Sequence, residues 1–362
     1  MSSAPRSIDA ATSAKLRALS MVGILMVIVG HSPSYRDALA PSQRSFAYSF
    51  GEFLFTDSLP RVLVMMFFTI AGFLLLQGHD GSALTWRRKV KARTRSLLMP
   101  YLVWSAIGLL IYFVLQLLPW TAGWFVNSPR RVLDRSPSEL LLLWLIDPIP
   151  YQLWFLRDLY LLVLVGPLLQ WALRRFGAWV PAVLLVPYFL DGFVPSPVPA
   201  VRLLTSDSYL FFAVGALFAE RRWSLRIASA WLWPLVLATT VLAMGRAYGL
   251  AAKWPHDLYW WKTVHLVGVP ALWAAYDRWL RWLERPLWIE ISGLTFFVFA
   301  AHEPMMTMLR KPLSRWLGVG DLQHALACGL CLFGTLATML SVAWFLRRKL
   351  PRTFTFLSGG RS

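Results

Sequence analysis

Apolar residues in this chain come in long unbroken blocks, separated by short polar and basic stretches. The blocks fall at 16–33, 60–77, 97–118, 151–171, 178–193, 203–220, 229–247, 262–276, 288–309 and 323–346. About 20 apolar residues carry a helix across the hydrocarbon of a bilayer, and most of the blocks come near that length. They run continuously apolar rather than alternating with the period of two that a barrel strand requires. The pattern predicts an all-α fold, a polytopic membrane bundle of about ten transmembrane helices. The block 178–193 is short and carries Pro181 and Pro187, which predicts a broken or kinked helix. Residues 119–150 contain Pro119, Pro129, Pro137, Pro148 and Pro150 and predict a folded external loop. Within that loop 137–146, PSELLLLWLI, is too short to cross and predicts a re-entrant or interfacial helix.

Composition sharpens this picture. Of 362 residues, 57% are hydrophobic and 15% charged, against about 25% charged in soluble domains. The surplus of apolar surface needs lipid around it. The formal charge is +18, from 36 Lys and Arg against 18 Asp and Glu, yet it does not point to nucleic acid. The bases sit in short clusters between apolar blocks, where they orient helices and meet anionic headgroups. One set of clusters comprises Arg87, Arg88, Lys89, Lys91, Arg93 and Arg95, then Arg174 and Arg175, then Arg221, Arg222 and Arg226, then Arg278, Arg281 and Arg285. Lys15 and Arg17 at one end, and Arg347, Arg348, Lys349 and Arg352 at the other, belong to the same side. Both termini are therefore expected in the cytoplasm, with the longer loops 34–59 and 119–150 outside. The organisation reads as a tail at 1–15, a transmembrane domain at 16–346 and a basic tail at 347–362. The 20 Trp residues, many near block ends, suit interfacial belts. Residues 1–15 are polar, with no cleavable signal in evidence. Cys328 and Cys331 form a CxxC inside an apolar helix, where they read as small packing residues, since zinc and redox sites need partners that this helix lacks.

A few ionisable residues interrupt the apolar blocks, and such residues are functional candidates by default. His31 ends the first block. Arg61 opens the second. Trp154, Arg157 and Asp158 open the fourth, and His302 and Glu303 lie inside the ninth. In the expected orientation most of these fall toward one side, which predicts a polar pocket opening outward. Structural readings stand beside the functional ones: an ion pair at a helix start for Arg157 and Asp158, a snorkelling side chain for Arg61, and a kink at His302–Glu303–Pro304. His79, His256, His265 and His324 lie at loops or block ends and are assigned no role. Two histidines and several arginines, without metal-ligand spacing, suit acyl transfer. An imidazole can take a proton from a hydroxyl, and a guanidinium can stabilise the oxyanion of a tetrahedral intermediate.

The blocks also resemble, in order, those of the acyltransferase 3 family of integral membrane O-acyltransferases. LRALSMVGILMVIVGHS resembles the first-helix signature ending in its catalytic histidine, here His31. LPRVLVMMFFTIAGFLLL is similar to the second, with Arg61, Phe67, Phe68, Gly72 and Phe73. KARTRSLLMPYLVW carries Arg93, Arg95, Pro100, Tyr101 and Trp104. LWFLRDLYLL carries Trp154, Phe155, Arg157 and Asp158. LFFAVGALFAE carries Gly215, and TFFVFAAHEPMM carries His302. The chain departs from the family at Ser20, where an Arg or Lys is usual; the nearest bases are Arg17 and Lys15. Ile-Ala-Gly replaces the usual Ser-Gly of the second helix, and Phe299 stands where Tyr is frequent.

The resemblance implies a stand-alone acyltransferase of the bacterial inner membrane, without a soluble esterase-like domain. Its donor would be an acyl-CoA, usually acetyl-CoA, and no metal is implied. Its acceptor would be a hydroxyl of a carbohydrate or glycolipid, reached among membrane lipids. His31 would be the general base, with His302 or Arg61 positioning or polarising the acyl carbonyl. Trp154, Arg157, Asp158 and Glu303 would shape the acceptor pocket. Arg93, Arg95 and Arg17 would hold the CoA phosphates, although positive-inside topology alone also accounts for the basic loop at 87–95. The alternative from another class is a transporter or flippase of a glycan precursor, for which an internal inverted repeat would be expected; the sequence shows none.

Overall fold

The computed structural model describes residues 9–32, 44–125, 130–198, 201–254, 257–318 and 320–361. These form α1 (Ala10–His31), α2 (Phe46–Glu52), α3 (Leu59–Leu76), α4 (Ala83–Arg93), α5 (Met99–Leu117), α6 (Pro119–Ala122), α7 (Pro137–Leu145), α8 (Trp154–Leu164), α9 (Gly166–Phe176) and α10 (Trp179–Phe189). After them come α11 (Ser206–Glu220), α12 (Leu232–Ala251), α13 (Asp257–Ala275), α14 (Pro286–Leu317), α15 (Asp321–Lys349) and α16 (Pro351–Leu357). Among the described residues the strands are β1 (Val194–Pro195) and β2 (Arg202–Leu203), an antiparallel pair with Val194 opposite Leu203.

Among the described residues, five continuous helical stretches are long and apolar enough to cross a bilayer: Ala10–His31, Phe46–Leu76, Ala83–Leu117, Ser229–Ala251 and Asp321–Lys349. Tyr151–Leu164 and Gly166–Phe176 make a sixth if counted as one span bent by 59°. The protein is thus a multi-pass helical membrane protein. The block 151–171 is not one straight helix, because Pro167 starts α9 and cannot continue the ladder of α8. α10 has 11 residues with Pro187 inside it, short of a bilayer's thickness. α11 has 15 residues. α13 and α14 are longer but carry charge along their length, with Lys262 on one and Glu303, Arg310 and Lys311 on the other.

Two expected loops are helical instead. The part of 34–59 that is described is helical from Phe46 onward; 33–43 lies outside the described residues. A π-helical stretch, Phe53–Ser58, joins α2 to α3. The basic segment 87–95 lies in α4 and in a second π-helical stretch, Thr94–Leu98, that leads into α5. Its Arg, Lys and Ala residues are good helix formers. These two π stretches precede a proline, whereas a third, Tyr276–Leu280, does not. Pro60 offers no N–H to the carbonyl of Thr56, and Pro100 offers none to that of Ser96, so the wider turn falls where the ordinary ladder is broken. The interfacial helix expected at 137–146 is α7, opened by a capping box between Ser136 and Glu139.

The chain folds as two compact units. The first holds residues up to Val90, Leu162–Phe193 and Leu204–Thr295. Its centre is α3. Gly72 of α3 lies against the Phe212 carbonyl of α11, and Gly215 of α11 lies against the Thr69 carbonyl of α3. With no Cβ on either side the two backbones touch, as small residues permit in membrane helix pairs. α1 packs on α3 with the Phe67 ring over Gly23, and α13 packs on it with Val62 over Gly268. The second unit holds Lys91–Leu161, Val194–Leu203 and Phe296–Ser362. Its core includes Tyr112, Leu115, Phe125, Val132 and Ile149. α7 is tied to α5 by Ser105 Oγ donating to the Trp144 carbonyl at 2.8 Å and Trp144 Nε1 donating to the Leu102 carbonyl at 2.9 Å.

Gly215→Ala is expected to force α3 and α11 apart, at about 1–3 kcal/mol for overpacking. Thermal unfolding of the purified protein in detergent checks this. Gly51→Ala, where an added methyl meets open space, is expected to leave the midpoint unchanged or raise it.

Candidate active site

His31 is the last residue of α1 and is half-buried. Its neighbour Gly30 approaches Pro60 and the Thr56 carbonyl closely: a Cβ there would lie 3.0 and 3.1 Å from them. Those two residues flank Asp57, so glycine at 30 seats the end of α1 against the turn that carries Asp57 and Arg61. Asp57 accepts from Arg61 Nε at 2.6 Å and from an Arg246 terminal nitrogen at 2.7 Å. Arg246 also donates to Ser58 Oγ at 3.1 Å. The Trp261 ring lies 4.3 Å from the Arg61 guanidinium and 5.4 Å from that of Arg246, a cation–π arrangement.

The network continues along α13. Lys262 is fully buried and donates to Asp207 at 2.6 Å and to Asp191 at 3.2 Å. His265 Nδ1 lies 3.0 Å from the Trp261 indole nitrogen and 3.3 Å from Asp207 Oδ1. One nitrogen cannot serve both neighbours. As an acceptor it takes the indole proton; as a donor it meets the carboxylate. Three cations and three carboxylates thus alternate through the first unit, and charges removed from water are tolerated there because each is paired. Arg246 is almost wholly buried, whereas the Arg61 side chain is 40% exposed. Asp57 accepts from the Nε–H of Arg61, so that contact does not engage its two terminal nitrogens.

The second unit holds the other candidates. Arg157 donates through Nε to Asp158 at 2.8 Å, and through its two terminal nitrogens to the Arg202 carbonyl of β2 at 3.2 Å and to the Ile146 carbonyl. Asp158 is fully buried. The pair therefore fastens the start of α8 to the end of α7 and to β2, and frames its surroundings through those ties. Trp154 is half-buried and meets the Phe155 ring edge-on at 6.3 Å. Phe155 meets Phe299 at 6.2 Å, and Phe299 meets His302 at 6.2 Å. Gln152 donates to the Ala300 carbonyl at 3.2 Å. The structure so brings the block 152–158 and the block around His302 together. His302 is fully buried, with Nδ1 at 2.7 Å from the Phe299 carbonyl. A carbonyl only accepts, so Nδ1 carries a proton.

Glu303 binds Arg130 at 3.0 Å, Tyr112 OH at 3.3 Å and Thr307 Oγ1 at 3.1 Å. Arg130 lies 4.5 Å over the Tyr151 ring. Burial works against the Arg130 charge, but the Glu303 carboxylate outweighs it and holds the guanidinium above its ordinary value.

The donor-binding candidates fall in both units. Arg17 and His31 lie about 21 Å apart along α1 at about 1.5 Å per residue, so they do not touch. Arg17 is exposed and borders a space of about 20 Å³ with Glu284, room for about one water. Lys15, by contrast, is buried and paired with Asp277 at 2.8 Å. Arg93 is half-buried and Arg95 exposed, both in the second unit. Cys331 Sγ donates to the Met306 carbonyl at 3.4 Å, fastening α15 to α14.

Sequence reasoning missed Asp57, Asp207, Arg246, Lys262, His265, Arg130 and Tyr112. Most were detectable: Arg246 and Lys262 stand in or beside apolar blocks, where ionisable groups are costly. Arg130 carried no such signal, because it lies in the loop 119–150.

A helical membrane protein with buried imidazole and guanidinium groups is the class that fold and site define. The chain belongs to the acyltransferase 3 family: the family model described as an acyltransferase domain matches residues 15–347. It is 24% identical over 369 residues to the succinoglycan biosynthesis protein ExoH of Rhizobium meliloti (strain 1021), covering 98% of this chain and 94% of the relative. No solved structure matches the chain.

Lys262→Met is expected to leave Asp207 buried without its cation, costing about 3–5 kcal/mol. Thermal unfolding reads this, and adding Asp207→Asn to Lys262→Met is expected to recover part of the loss. An unchanged midpoint in the single variant would contradict the network.

Proposed function

We propose that the protein is a membrane O-acyltransferase that moves an acyl group from an acyl-CoA to a hydroxyl of a polysaccharide or its lipid-linked precursor. The observation that carries this reading is the close seat of Gly30, the residue before His31, against the turn bearing Asp57 and the partly exposed Arg61. The family match supports acyl transfer. Similarity to a succinoglycan biosynthesis protein supports a glycan acceptor.

In this reading His31 takes the proton of the acceptor hydroxyl as its oxygen attacks the thioester carbonyl. The terminal N–H groups of Arg61 face the oxyanion of the tetrahedral intermediate, and Asp57 and Trp261 hold that guanidinium still. The carbon–sulfur bond breaks, the ester bond forms, and the proton passes from the imidazole to the departing CoA sulfur. His302 is fully buried with Nδ1 turned to the Phe299 carbonyl, so the polarising role is given to the partly exposed Arg61. Acetyl-CoA is the first donor we assign.

His31→Ala is expected to lower transfer at least about 100-fold, measured as glycan acylation by mass spectrometry in cells lacking the native gene, and with purified protein given acetyl-CoA or succinyl-CoA. Retained acylation in the variant, or no acylation by the wild type with either donor, would overturn the reading. Preference for succinyl-CoA would overturn only the choice of donor.

A further inference from the structure

The residues after α15 do not trail away. Leu350 turns the chain and α16 packs back on the start of α5. Trp104 Nε1 donates to the Leu357 carbonyl at 2.9 Å, and Phe354 is buried against Phe297 with ring centroids 6.0 Å apart. Gly359, at φ 64°, brings the chain against Pro100; a Cβ there would lie 2.7 Å from its ring and 2.8 Å from the Ser96 carbonyl. Arg361 then donates to that same carbonyl at 3.1 Å, supplying a donor where Pro100 has none. This segment lies beyond the family match, which ends at 347.

The fold-back leaves a cleft of about 570 Å³ whose walls include Arg95, Met99, Arg352, Thr355 and Phe356. Arg95 and Arg352 are both exposed. No Asp or Glu occurs between Asp80 and Asp134, or anywhere after Asp321. The segment Thr94–Leu117 and α16 therefore carry no acidic residue, and Arg95 and Arg352 are the charges they bring to the cleft. Burial pushes Arg361 down to about 10, with the positive charge of nearby Arg93 adding to the effect. Among the described residues that line the cleft there are two guanidiniums, an apolar floor and no carboxylate. That combination selects a phosphate-bearing anion: two exposed guanidiniums for the phosphates, and Met99 and Phe356 for an apolar or ring-bearing part.

We propose that α16 and the turn after it complete a phosphate-binding cleft, in which Arg352 and Arg95 grip the phosphates of a nucleotide-type acyl donor. The donor's identity rests on the acyl-CoA reading above; the cleft does not. Coenzyme A is the probe, titrated into full-length protein in phosphatidylcholine nanodiscs. Arg95→Gln and Arg352→Gln are each expected to weaken its binding about tenfold, the effect of losing one charge-assisted contact. Arg352→Lys is expected to recover most of the loss, and the thermal midpoints are expected to stay at the wild-type value.

A second arm uses phosphatidylglycerol nanodiscs and counts retained lipid by native mass spectrometry. Lipid retention that falls in both Gln variants while CoA affinity holds would keep the phosphate cleft and overturn the donor as its ligand. Unchanged CoA affinity and unchanged lipid retention in both would overturn the cleft. CoA binding that depends on Arg352 in a protein that transfers no acyl group would leave the cleft standing and sink the acyltransferase reading. Acyl transfer with unaltered CoA affinity and unaltered lipid retention in both variants would do the reverse.

Discussion

A charge taken out of water needs an opposite charge within contact distance, and this requirement governs the first unit. Lys262 and Arg246 are almost wholly enclosed. Isolated in a low dielectric, either would cost several kcal/mol. Each instead meets a carboxylate, Asp207 or Asp57, with Trp261 lying between the two pairs. The consequence for chemistry is rigidity. Arg61 shares Asp57 with a buried partner, so its position is set by a network rather than by its own flexible stem. A guanidinium held in this way stabilises developing charge without having to reorganise.

Close backbone packing makes such a network reachable. Gly72 and Gly215 let α3 and α11 touch, and Gly30 lets α1 reach the turn at Thr56–Pro60. That turn is π-helical because a proline follows it, and the wider turn changes which residues share a face with α3. Pro100 and the stretch Thr94–Leu98 repeat the device in the second unit, where the Ser96 carbonyl takes its proton from Arg361. In both places a residue that breaks the helix ladder frees a carbonyl beside basic or catalytic candidates. In a membrane, irregular backbone survives only where protein or water satisfies it.

Much of the helical content could be read from the apolar blocks, and the family could be read from motifs that occur in order. His31, Arg61, Arg157 and His302 stood out because an ionisable group in an apolar run is conspicuous. The basic segment 87–95 was misjudged as a loop, since charge density says where a segment sits relative to lipid and not whether it is helical. His265 was passed over because it looks like any histidine near a block end; its importance comes from Asp207, 58 residues away in the chain. Arg130 pairs with Glu303 across 173 residues, a separation at which local patterning carries no information.

By itself the sequence determined that the chain is helical, needs lipid and belongs among acyltransferases. Hydrophobic blocks of bilayer length and an ordered set of motifs are properties of the chain taken locally. Only the tertiary structure decided which charges neutralise which, which glycines admit a neighbouring helix, and that the last residues fold back beside Arg95. Those outcomes depend on distances of a few ångströms between segments far apart in the chain, set by packing rather than by any stretch of residues alone.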